Sequence, residues 1–211
     1  MNRSFVVLAL VLVLGIRGSA GVVAQEATPT PVTFPVMPDP ALCRVAPRPI
    51  ADVTQFLGTP GTPAADEATP AASSSTTFVP PQGEPADPTT IAAVAATAVE
   101  IFACFNAGDF LRGTALWTDA FVAQVFQETP PTEEELAYFA ATPVPLSPAA
   151  SNQILALREV VVLPDGRVGA FLDLQFPEGR ETQYGILVRE GDRYLLDDVP
   201  YVSPIEGTPT P

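Results

Sequence analysis

The chain changes its hydrophobic rhythm twice. From residue 91 onward the apolar positions are Ile91, Val94, Ala95, Ala98, Ile101, Phe102 and Phe105, the spacing of one helix face. Asp87 is placed to cap this helix and Pro88 to occupy its first position, where a missing N–H costs nothing. Gly108 supplies the left-handed conformation that ends it. Asp109 then caps a second helical stretch with Leu111, Ala115, Leu116, Phe121, Val122 and Val125 on its apolar side, and Thr118-Asp119 are suited to start a fresh turn. After Pro130-Pro131, Thr132-Glu133-Glu134-Glu135 opens a short third helix with carboxylates at its positive end, stopping before Pro143.

Beyond Ser151 the period falls to two. Gln153 to Leu163 is apolar and β-branched, and Pro164-Asp165-Gly166 is a hairpin turn signal. Residues 167–176 alternate, with Val168, Ala170, Leu172, Leu174 and Phe176 on one face and Gly169, Phe171, Asp173 and Gln175 on the other. Turns at Glu178-Gly179 and Glu190-Gly191-Asp192 separate two further strands, Thr182 to Arg189 and Arg193 to Val202. Helices followed by an antiparallel meander define an α+β domain over residues 87–203, its helices packed on one face of a curved sheet.

The region upstream has another texture. Residues 25–86 hold 13 of the 25 prolines, several in Thr-Pro pairs, and a Ser/Thr tract at 73–77. Such a composition buries too little apolar surface to offset chain entropy and is expected to be an extended linker. One island interrupts it at residues 40–58, with Cys43, Arg44, Arg48 and an amphipathic turn through Ile50, Val53, Phe56 and Leu57. It is expected to dock on the folded domain. Residues 204–211 read as a loose tail.

The first residues set the expected compartment. Asn2-Arg3 precede a twelve-residue apolar run, Phe5 to Ile16, too short to cross a bilayer comfortably. Small residues follow, so residues 1–24 are read as a signal peptide cleaved after Ala24, with Ala20 as the alternative site and an uncleaved anchor as the alternative reading. The expected location is secreted or extracellular, with cell-surface association open, and no membrane span is expected after signal removal. In that compartment Cys43 and Cys104 are expected to form a disulfide. Closing a loop of this length stabilises by about 4 kcal/mol on the chain-entropy model.

Charge and composition narrow the chemistry. All ten basic residues are Arg, with no Lys and no His. Removing Arg3 and Arg17 with the signal leaves eight Arg against 24 acidic residues, a net charge of −16. Such a chain repels nucleic acid, so no nucleic-acid partner is expected. Histidine-based triads and Schiff-base lysines are excluded within the chain, and the usual zinc sites lack their ligands. Glu133–Glu135 show no regular oxygen-ligand spacing for calcium. A reaction would have to use Asp, Glu, Tyr, Arg or an added group, and no cofactor or metal site is read here.

Short hallmarks add a resemblance. Phe105-Asn106-Ala107-Gly108-Asp109, then Ala115-Leu116-Trp117-Thr118-Asp119-Ala120-Phe121, then Leu163 to Gly169 and Arg193 to Val199, in this element order, resemble the NTF2-like superfamily, which includes SnoaL-like cyclases and ketosteroid isomerases. The likeness covers residues 87–203 and rests on no catalytic motif. It implies a cone with a mostly apolar cavity open at one end; homodimers through the open sheet face are common among relatives. The expected pocket residues are Trp117, Tyr138, Phe171, Asp173 and Tyr184. Asp173, Tyr184 and Asp197 are the catalytic candidates, with Asp198 the alternative from the last strand. Against each stands a plainer role: Asp173 as a solvent-face strand residue, Asp197 as a cap or an ion-pair partner of Arg193 or Arg158, and Tyr184 and Trp117 as packing aromatics. Three functions stay open: a non-catalytic module for a small apolar ligand or a protein, a carboxylate- and Tyr-based enzyme, and a structural surface protein.

Overall fold

The computed structural model describes residues 31–34, 37–57 and 78–204. The expected signal peptide, the centre of the Pro/Thr-rich region and the tail beyond residue 204 lie outside the described residues.

The folded part is α+β. Among the described residues, helices α1 (Ile50–Phe56), α2 (Pro88–Asn106), α3 (Phe110–Thr114), α4 (Asp119–Glu128) and α5 (Glu133–Ala140) form one layer that packs, through α2 and α4, against one antiparallel sheet. The main strands β3 (Gln153–Val162), β4 (Val168–Phe176), β5 (Gly179–Glu190) and β6 (Arg193–Pro204) form the meander read from the sequence.

Caps fix the helix boundaries. The Asp87 side chain accepts from the N–H groups of Thr89 and Thr90, and Pro88 occupies the first turn. Gly108 has φ 72° where α2 ends. Thr118 accepts from Phe121 N at the start of α4, and Thr132 with Glu135 forms a capping box on α5. The buried face of α2, with Val94, Ala98, Ile101 and Phe102, packs on Ile154, Leu157, Leu172, Leu174 and Leu187 of the sheet.

Two segments of the Pro/Thr-rich region pair with the sheet, which composition did not indicate. Strand β1 (Val32–Thr33) lies against Leu157 and Ala156, and β2 (Glu84–Pro85) against Val162 and Val161. Both cover the outer edge of β3. A proline fits there, because an edge strand does not require every N–H. Register shifts between Ile154 and Ala156 and between Arg158 and Val161 interrupt the β3–β4 pairing, and Glu159 sits at φ 52° within the second. Such bulges bend a strand and increase its twist.

The island docks on the helices. Cys43 and Cys104 form a disulfide. Val53 of α1 is fully buried with Val122 and Phe126 of α4. Glu100 of α2 accepts from the N–H groups of Arg44 and Val45, fixing the chain just after the bridge.

Candidate functional site

A cavity of about 330 Å³ lies between α2, the Trp117–Phe121 segment and the inner face of the sheet. Helix α2 supplies Val94, Ala98, Ile101, Phe102 and Phe105; β4 supplies Leu172 and Phe176; β5 supplies Gln183, Gly185 and Leu187; β6 supplies Leu196 and Val199. Trp117 and Phe121 complete the wall. No Asp, Glu, Arg or Tyr is among these residues, and Gln183 is the sole polar aliphatic side chain. The volume is within the range of small-ligand pockets, and the lining matches their usual apolar character.

Trp117 is held from several sides. Its indole contacts Phe121 at 5.0 Å and Phe105 edge-on at 5.9 Å between ring centroids. Leu196 donates its N–H to Leu116 O, and Thr118 donates to Leu196 O, both at 2.9 Å, so the backbone around Trp117 is clipped onto β6. Arg48 of the island donates to Trp117 O at 2.8 Å and to Thr114 O at 3.2–3.3 Å, and pairs with Asp119. The indole also borders a second, polar groove lined by Arg48, Asp119, Glu190 and Asp197. Its Nε1 is buried without a hydrogen-bond partner among the described residues. Trp117 is therefore a partition between apolar and charged space.

The other sequence candidates lie elsewhere. Asp173 is on the opposite face of β4 from Leu172. It accepts a two-bond fork from Arg158, at 2.7 and 2.8 Å, and a third bond from Thr182 Oγ1 at 2.8 Å. The Arg158 bonds, above all, hold its carboxyl below the ordinary value of 3.8. It is a paired carboxylate outside the cavity. Phe171 is on the same outer face, with the Arg158 guanidinium 5.5 Å from its ring centre.

Tyr184 is buried in that outer layer, in edge contact with Phe171 at 4.9 Å and beneath Phe78 at 5.4 Å, while Phe78 stacks on Tyr201 at 4.5 Å. Burial pushes its phenol above the ordinary value of 10.0. Asp197 accepts from Thr118 Oγ1 at 2.9 Å and pairs with Arg167 at 3.2 Å; it lines the polar groove and not the apolar cavity. Tyr138 is 56% exposed on α5 and lines no part of the cavity. Of the five expected pocket residues, only Trp117 lines the cavity.

Strand alternation separated the faces of β4 but did not say which turned inward. The inward set was the face of Leu172, Leu174 and Phe176. Gln183 was legible only by the same parity on β5, where Gly185 and Leu187 share its face. The aromatic lining from Phe102, Phe105 and Phe121 was visible as helix periodicity but read as core.

Comparison with known proteins finds no matching family model, no matching curated protein and no matching solved structure.

Proposed function

We propose that this chain is an exported NTF2-like domain that binds a small apolar ligand in the cavity behind Trp117, without transforming it. The observation that carries the reading is the lining itself: about 330 Å³ of space walled by aliphatic and aromatic groups, with no acid or base facing in. General acid–base chemistry needs a titratable group within reach of the reacting atom. Asp173, Tyr184 and Asp197 are each committed to other partners or buried away from the cavity. The element order and the hallmark segments support the family proposal, and the disulfide supports an oxidising compartment.

The test is a titration of the full chain with the uncharged probe N-phenyl-1-naphthylamine. Saturable fluorescence enhancement at one site per chain, lost when Ala98→Phe fills the cavity, is expected. Absence of saturable binding by a folded protein would overturn the reading.

A further inference from the structure

The polar side chain in the cavity wall bears on the chemistry of the ligand. Gln183 is the polar residue of the lining, and its Nε2 donates to the Glu181 carboxylate. A carboxylate only accepts, so one of the two amide N–H groups is taken up by it, and the amide oxygen is an acceptor that can face a ligand. Glu181 lies two residues before Gln183 on β5, hence on the same, inner face of the strand. It also lines a shallow surface groove at the β4–β5 turn, with Glu178 and Arg180. Phe176 lines both that groove and the cavity. Arg180 belongs to the other parity of β5, and its Nε donates to Gln175 Oε1 on the outer face. No ion pair to Glu181 occurs among the described residues. The rim on the cavity side thus presents acceptors and negative charge.

We infer that the ligand is a single-tailed amphiphile whose head is a hydrogen-bond donor and is not anionic, a hydroxyl or an ammonium, seated against Gln183 Oε1 and Glu181 with its tail in the cavity. This rests on the binding reading above. A carboxylate head would bring like charge against Glu181 and leave the acceptors at the rim without a donor. A hydroxyl satisfies an acceptor at no charge cost, and an ammonium adds attraction to Glu181.

The experiment displaces bound N-phenyl-1-naphthylamine from the full chain at pH 7.5 with 1-decanol, decylammonium and decanoate, each below its aggregation concentration. Decanol and decylammonium are expected to displace the probe at concentrations at least roughly fivefold below decanoate, the factor that one nearby charge supplies in a wet site. In Glu181→Gln the gap between decylammonium and decanoate should narrow by roughly the square of that factor, because the attraction and the repulsion are both removed. Asp192→Asn, in the turn at the far end of β5, should leave it unchanged. Equal displacement by decanoate overturns the inference while the binding reading stands. Equal narrowing in both variants also overturns it, since the preference would then follow from total charge. If the probe itself fails to bind, it is the binding reading that fails.

Discussion

The guanidinium of Arg48 donates to the carbonyl of Trp117 at 2.8 Å, joining a segment some seventy residues upstream to the wall of the cavity. The same side chain reaches Thr114 O and Asp119 and is only 9% exposed. The N-terminal island is therefore part of the site's frame, although it supplies no cavity-lining residue. Cys43 pins its start to α2, and Val53 buries its helix against α4.

Arg48→Ala should leave the Thr114 and Trp117 carbonyls without their donor and so destabilise the fold by about 2–4 kcal/mol. Trp117 is the single tryptophan, so its emission reports on this wall directly. A red shift is expected in Arg48→Ala. Arg48→Lys should recover little, because one ammonium cannot span the fork that a guanidinium spans. Denaturant unfolding and emission spectra of the three proteins check this.

The Cys43–Cys104 bridge closes a long loop, with a sequence separation of 61. The double variant Cys43→Ser/Cys104→Ser should lose about 4 kcal/mol of stability on the chain-entropy model. Because the bridge orders the segment that carries Arg48, the same variant should expose Trp117 to a polar quencher. Urea midpoints with and without reductant measure the first effect, and acrylamide quenching the second.

Asp173 gives a pH signature with a defined sign. Its folded-state pKa lies below the ordinary value, chiefly through the Arg158 hydrogen bonds. Its contribution is complete above about pH 4, the unfolded value, and fades as pH falls through the lower folded value. Wild type should lose more stability than Asp173→Asn between pH 5 and pH 2. Ligand binding at neutral pH should be the same in both, since Asp173 is outside the cavity. Thermal melts across that range, with probe titrations at pH 7, test both parts.

Tyr184 and Gly169 form a matched pair on the outer face. A methyl group at residue 169 would overlap the Tyr184 phenol, so Gly169 is kept bare by its neighbour. Gly169→Ala should cost about 1–3 kcal/mol through overpacking. The Tyr184 hydroxyl is buried without a partner among the described residues. Tyr184→Phe should therefore be neutral to stabilising, by up to about 1–3 kcal/mol, because a buried hydroxyl without a partner carries an unrecovered desolvation cost. Calorimetric melts of the two variants, each expected to bind the probe as wild type does, check the assignment.

These relationships show why the site was only half legible in the sequence. Local signals were sufficient for the scaffold: Asp87 and Thr118 cap helices, Gly108 ends one, and the period of two marks the strands. The direction of β4 was not local. Leu172 and Phe171 are both large and apolar, so alternation assigns them to different faces without ranking the faces. What decides is distant. Arg158 reaches across from β3 to Asp173, and Phe78, from the Pro/Thr-rich region, covers Tyr184 and Tyr201. Phe78 thereby covers part of the sheet face through which relatives of the NTF2-like superfamily commonly dimerise, the possibility raised by the resemblance. The position of Arg48 was equally hidden, because a guanidinium satisfying backbone carbonyls leaves no motif in the sequence.

The central claim is that the cavity behind Trp117 receives an apolar chain. Titration of the full protein with 10-bromo-1-decanol tests it most directly, because bromine quenches an indole only at close range. The account predicts saturable quenching of Trp117 that disappears in Ala98→Phe while that variant remains folded. Quenching that rises linearly without saturation, or that is unchanged in folded Ala98→Phe, would contradict it.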